Sequence, residues 1–300
     1  MALIEEVIKE LIKHTGCTVA HCRTILSESP SLESEHAFVT LQCRDGRRKF
    51  FVKMARTCHD SGRILRETEI LLKLRDIKVE NIPEVVLFGD CEGRAYLIEN
   101  FIENSVTGHS SLTSGNTLSN ILAFLGSFYS QTKSGTIEPQ ELIHRAERIA
   151  NFAHGFIDLT DALYVLDKSK PKAKIPAVCR HGDIADVNFI LTSHGLVAID
   201  FGFAKFDEPP SEPYVLVSPA KLKEHARYLD VLSLFDDVDP LFFAMYENII
   251  HLGEELAMLR ELEEDLIVIN KIGYFAPQAQ IGNIEELKLY YQEKSCQTKA

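Results

Sequence analysis

The stretch from Arg180 to Ala204, RHGDIADVNFILTSHGLVAIDFGFA, constrains the fold more than any other part of the chain. It reads as a short polar loop, His181-Gly182-Asp183 to Asn188, that leads into a β-hairpin. Phe189-Ile190-Leu191 is apolar and Thr192-Ser193-His194-Gly195 is turn-like. Leu196-Val197-Ala198-Ile199 is apolar again, ahead of Asp200-Phe201-Gly202. A turn centred near His194 sets Asn188 opposite Asp200, with their Cβ atoms about 5 Å apart. Asp183 lies just upstream, so two carboxylates and one amide oxygen converge at one end of a rigid ribbon. Hard oxygen ligands of this kind suit Mg²⁺, which is held by one or two protein ligands plus the phosphates of a substrate.

Ahead of this stretch the pattern is mostly strands. Leu3, Ile4, Val7, Ile8, Leu11 and Ile12 recur at helical spacing, with Gly16 as the C-cap. Cys22 to Leu26 reads as a strand, followed by the loop Ser27-Glu28-Ser29-Pro30-Ser31-Leu32-Glu33-Ser34. His36 to Cys43 and Lys49 to Met54 read as two strands joined through the Asp45-Gly46 turn. Lys53 sits inside the apolar run Phe50-Phe51-Val52-Lys53-Met54. An ammonium there needs an anion or water. Arg63 to Leu74 is a helix that carries Glu67. Glu69 lies about 200° round it from Glu67, so the two cannot face one partner. Ile82 to Phe88 and Arg94 to Ile98 are two further strands.

The remainder reads as helical. Leu118 to Tyr129 and Pro139 to Leu166 carry apolar residues at helical spacing, and Lys168 to Lys174 is a basic connector. The residues from Lys205 onward carry eighteen acids against nine bases, most of the net charge of −12. That balance argues against a nucleic-acid partner, which needs a basic face. No apolar run reaches the length of about 18 residues that a membrane helix needs. The seven cysteines are scattered and contain no C-x-x-C pair. With the acidic first residues, they read as reduced thiols of a cytoplasmic protein.

The His-Gly-Asp to Asn spacing and the Asp-Phe-Gly turn together resemble the catalytic loop and metal-binding motif of kinases. Gly182, where protein kinases carry Arg, makes the chain similar to the aminoglycoside phosphotransferase and choline kinase group. The resemblance implies a bilobal α+β protein kinase-like fold. Residues 1–101 would form a nucleotide-binding lobe, a small antiparallel sheet with one key helix. Residues 102–300 would form a larger, mainly helical lobe for catalysis and substrate. It implies ATP and Mg²⁺, and transfer of the γ-phosphate to a hydroxyl of a small molecule. Asp183 would accept or orient the hydroxyl proton, with His181 bracing the loop. Asn188 and Asp200 would hold the metal. Lys53, fixed by Glu67, would clamp the phosphates, and Ser29, Ser31 and Ser34 would lie over them in a loop that contains no glycine. Backbone groups of Glu99, Asn100 and Phe101 would read the adenine edge.

The acceptor is less constrained. The acidic last third suits a cationic acceptor such as an aminoglycoside or an amino-alcohol, and a neutral sugar stays open. A non-catalytic nucleotide-binding regulator is a competing class, favoured by the glycine-free loop. An atypical protein kinase or a lipopolysaccharide-sugar kinase is another. His-Gly-Asp, the missing activation segment and the absence of an Ala-Pro-Glu motif weigh against a protein kinase.

Overall fold

Lys53 and its neighbours decide the layering of the first half of the chain. In the computed structural model, which describes residues 2–25, 36–43, 46–58, 61–103, 115–184, 188–215, 240–262 and 277–297, five strands form one antiparallel sheet. They are β1 (Val19–Ile25), β2 (His36–Cys43), β3 (Lys49–Ala55), β4 (Val85–Cys91) and β5 (Arg94–Asn100). Their order is β1-β2-β3-β5-β4, so β3 lies in the middle. Side chains alternate across a strand. Phe50, Val52 and Met54 therefore share one face with Val39 and Leu41 of β2 and with Tyr96 and Ile98 of β5.

Helix α1 (Ala2–Thr15) covers that face with Leu3, Val7 and Leu11, spaced four apart along one stripe. Val7 and Leu11 are fully buried. Each contributes about 1.5–3 kcal/mol by the apolar area it removes from water. The Gly16 amide closes the helix onto Ile12 O at 2.8 Å, as the C-cap reading expects. Lys53 has the opposite parity. It lies across from Leu97 on the other face, which meets helix α2 (Ser61–Asp76) and its inward Ile64, Glu67, Leu71 and Leu74.

Cys17, just ahead of β1, and Cys43, at the end of β2, form a disulfide with their Cα atoms 6.2 Å apart. This separation is one that such a bond spans. The expectation of reduced thiols throughout is corrected at this pair. The β1–β2 register, with Val19 opposite Cys43, brings together two residues far apart in sequence. For these two cysteines the redox argument for a cytoplasmic location no longer holds.

The chain divides into two compact units, Met1–Thr117 with His181–Lys205, and Leu118–Arg180 with Phe206–Ala300. The second unit contains all but the first turn of α3 (Gly115–Thr132), with α4 (Pro139–Ala153), α5 (Thr160–Lys168), α6 (Pro240–Leu262) and α7 (Pro277–Gln297). Its small sheet has the order β10-β7-β6, from β6 (Gly135–Ile137), β7 (Ile175–Arg180) and β10 (Lys205–Glu208). Helix α6 is the core element of this unit. All its residues from Leu241 to Glu247 are buried, the mark of an internal helix rather than a surface one. No helix among the described residues is long and apolar enough to cross a membrane.

Candidate functional site

The first unit brings Lys53, Glu67 and Asp200 together from three separate parts of the sequence. The Lys53 ammonium bonds Glu67 Oε1 of α2. The same oxygen accepts the Phe201 N–H at 3.1 Å. Glu67 is therefore a buried bridge between the central strand and the Asp200-Phe201-Gly202 turn. Glu99 approaches from β5, with its Oε2 3.8 Å from the Lys53 nitrogen. Burial alone would push Lys53 toward neutrality, but Glu99, Glu67 and Asp200 hold its pKa well above the ordinary lysine value. The lysine is cationic at any physiological pH.

The loop and hairpin hold the rest. Strands β8 (Phe189–Thr192) and β9 (Gly195–Ala198) pair Phe189 with Ala198 and Thr192 with Gly195, around a two-residue turn. The ladder continues with the Ile199 N–H donating to Asn188 O at 2.9 Å. Asn188 thus faces Ile199, one residue short of the expected Asp200, because the turn uses only Ser193 and His194. Asp200 leaves the strand alternation instead, with a left-handed backbone (φ 61°, ψ 68°). Such a conformation is uncommon for any residue but Gly, Asn and Asp, and costs of the order of 1 kcal/mol or more. The Asp200 carboxyl is held below the usual range: burial opposes ionisation, but Lys53 and Arg63 overcome it.

Two glycines are explained by close approach. Gly182 has φ +84°, and a Cβ there would stand 2.3 Å from Phe203 O. Gly202 does not have a positive φ. Its requirement is space, since a Cβ would lie 2.6 Å from Arg63 Nε.

His181 is fully buried. Its Nδ1 accepts the Asp183 N–H at 3.3 Å, so Nε2 carries the proton and donates to Ile199 O at 2.8 Å. The ring packs against Phe201, centroids 4.7 Å apart, and Phe189 at 5.7 Å. Asn188 Nδ2 donates to Asp183 O at 3.0 Å. That bond orients the amide with Oδ1 as its remaining polar atom. Asp183 is partly exposed.

These residues fit Mg²⁺. A carboxylate and an amide oxygen, Asp200 and Asn188, are the hard donors it takes when its other positions go to water and phosphate. Among the described residues no three or more His, Cys, Asp or Glu side chains form a metal cage of their own.

Other expectations fare differently. Ser29, Ser31 and Ser34 lie outside the described residues. The amides of Asn100 and Phe101 are engaged within the sheet, donating to Glu84 O at 3.0 Å and Lys49 O at 3.1 Å. The Glu99 side chain turns inward toward Lys53, and only 4% of the residue is exposed. Arg63 was not expected. It lies four residues before Glu67 on α2, and its Nη2 stands 3.2 and 3.1 Å from the two oxygens of Asp200. The signal in the sequence was that i, i+4 spacing, which puts both residues on one helix face.

No protein-family model matches the chain, and no curated protein matches it. Solved structures do. A Haemophilus somnus protein designated a fructosamine-3-kinase superposes with TM-score 0.60 at 13% identity, over 95% of this chain and 97% of that one. The GDP complex of aminoglycoside 2'-phosphotransferase-IIIa gives 0.58 at 14%, over 97% and 99%. Choline kinase LicA from Streptococcus pneumoniae gives 0.56 at 16%, over 94% and 99%. At these identities the likeness is one of fold, and the chain has the protein kinase-like fold.

Proposed function

We propose that this protein is an ATP- and Mg²⁺-dependent phosphotransferase that places the γ-phosphate on a hydroxyl of a small molecule. The observation that carries this reading is the Lys53–Glu67 pair and its bond onward to the Phe201 N–H, next to Asp200. A structural lysine needs one anion. This one is fixed between two carboxylates beside an acid held ionised in a strained turn, which is an arrangement for charge that arrives later.

In this reading residues 1–101 carry the nucleotide, and residues 102–300 carry the chemistry and the acceptor. The segment His181–Lys205, which belongs to the first compact unit, supplies Asp183, Asn188 and Asp200. Lys53 draws the α- and β-phosphate oxygens by charge-assisted hydrogen bonds, and Glu67 keeps it from wandering. Asp200 and Asn188 would hold Mg²⁺, which would supply charge neutralisation for the phosphates. Asp183 orients the acceptor hydroxyl and takes its proton as the new O–P bond forms and the bond from the γ-phosphorus to the β–γ bridging oxygen breaks, releasing ADP. His181 positions Asp183 through the backbone bond and does not touch substrate. Catalysis of this kind is positioning and electrostatics, with little covalent work for the protein.

The acceptor we favour carries both a hydroxyl and an amine. The acidic residues from Lys205 onward support this, and so do the aminoglycoside and choline phosphotransferases that share the fold. The test is release of ADP from ATP·Mg with a panel of amino-sugars, amino-alcohols and neutral sugars. Turnover with an amine-bearing compound is expected. It should fall at least about 10³-fold in Asp183→Ala, while ATP·Mg still binds. Near-normal turnover in that variant would overturn the assignment of Asp183. Binding without turnover on any acceptor would favour the non-catalytic regulator.

A further inference from the structure

Arg63 is seated by the turn that follows β9, and its seat is built from three nearby residues of that turn. Its guanidinium carbon lies 4.3 Å from the centre of the Phe203 ring. Gly202 leaves the space that Arg63 Nε and Cγ fill. Asp200 receives its Nη2 on both oxygens. Arg63 therefore stands on the very carboxylate that a metal would use.

The pair is also unlike its neighbour. The Lys53 and Glu67 side chains are sealed, 8% and 3% exposed, whereas those of Arg63 and Asp200 are 31% and 34% exposed. A solvent-accessible ion pair contributes little and exchanges readily. The local charge has one more feature. Glu67, Glu99 and Asp200 supply three carboxylates against the two cations Lys53 and Arg63. A divalent cation arriving at Asp200 outcompetes a single guanidinium charge and repels it. The displaced arginine, stacked on a flat ring and free of its carboxylate, has the planar donor fork that suits phosphate.

We propose that Arg63 is an exchangeable counter-ion. It holds Asp200 in the metal-free protein, yields the carboxylate to a divalent cation, and then binds phosphate oxygens of the nucleotide. This makes Arg63 a nucleotide-binding residue outside every motif of the chain. The second half rests on the phosphotransferase reading; the first half does not.

The test compares wild type, Arg63→Ala, Arg63→Lys and Gly202→Ala. Mn²⁺ alone is titrated by electron paramagnetic resonance, and ATP by calorimetry with and without Mg²⁺. Arg63→Ala should bind Mn²⁺ alone about threefold to tenfold more tightly, because its competitor is gone. Gly202→Ala, which pushes the guanidinium away with the charge retained, should shift Mn²⁺ binding in the same direction. ATP·Mg should bind Arg63→Ala about tenfold more weakly, and Arg63→Lys should recover part of that loss. A merely structural arginine would lower the thermal midpoint and leave metal affinity unmoved. Unchanged or weaker Mn²⁺ binding in Arg63→Ala overturns the proposal, as does unchanged ATP·Mg affinity. If wild type binds no ATP with Mg²⁺, the phosphotransferase reading falls, and the Mn²⁺ arm alone decides whether Arg63 competes for Asp200.

Discussion

Two buried glutamates, one in each compact unit, are driven in opposite directions. Glu99 on β5 has its carboxyl pushed up to about 7, first by burial, with Glu67 and Asp200 adding to it against the pull of Lys53. Glu247 on α6 is held down to about 2, since burial is overcome by Arg180, His251 and Ser211. Depth does not separate them, because both are almost wholly inaccessible. Partners do. Glu247 Oε1 takes the Arg180 guanidinium and lies 3.4 Å from His251 Nε2, and Oε2 accepts from Ser211 at 2.5 Å. Glu99 has only the Lys53 ammonium at 3.8 Å, and its Oε1 has no hydrogen-bond partner among the described residues.

The difference shows which cluster is closed and which is open. Around Arg180, two acids, Glu247 and Glu212, meet one arginine and a histidine whose partners pull its pKa upward despite burial. Glu247 is fully partnered there, and the network has the character of an internal clamp, although Arg180 Nε has no hydrogen-bond partner among the described residues and meets Glu212 Oε2 only at 3.8 Å. Around Lys53, acids exceed bases by one. A buried carboxylate oxygen without a donor is costly, and natural cores retain such a group chiefly where function needs it. A cation or a proton relieves it.

The comparison can be broken experimentally, and the largest effect belongs to the closed cluster. Glu247→Gln should destabilise the protein by about 3–5 kcal/mol, because Arg180 is left buried without its counter-charge. Chemical denaturation at pH 7 measures this. A loss below about 1 kcal/mol would mean that the clamp is not load-sharing. The pH dependence has a definite sign. Glu247 has a lowered pKa, so its contribution is present above about 4.5 and is lost as pH falls toward 2.

Glu99 gives the reverse sign. Its raised pKa favours the folded state at low pH, and that contribution is lost as pH rises from about 4.5 through about 7. Glu99→Gln should therefore be more stable than wild type at pH 8, by a quantity on the order of 1–3 kcal/mol, with the gap closing at pH 4. Thermal melts across that range would show parallel curves if the open-cluster account is wrong. The smallest change is Tyr129→Phe. Its hydroxyl donates to Glu212 Oε1 at 2.7 Å inside the closed network, so its loss should cost about 1 kcal/mol and leave nucleotide affinity unchanged.

The residue types at the site were legible because their spacing is local. His181 to Asn188 and Asp200 to Gly202 lie within one loop and one hairpin, where chain connectivity alone limits the geometry. The apolar periodicity of α1 was equally local, and it holds. The hairpin register was missed by one residue, since turn length decides it and composition does not resolve two residues from three. The Cys17–Cys43 bond was missed because it needs the β1–β2 ladder.

What the sequence by itself determined was the list of chemical groups and the helix, strand and turn that carry each of them. Only tertiary structure decided which groups share a charge environment. It placed Arg63 on Asp200, turned the Glu99 carboxylate inward, and gave Gly202 its reason. Electrostatic energies depend on distances of a few ångströms and on burial, and neither is encoded in the spacing of letters along a chain.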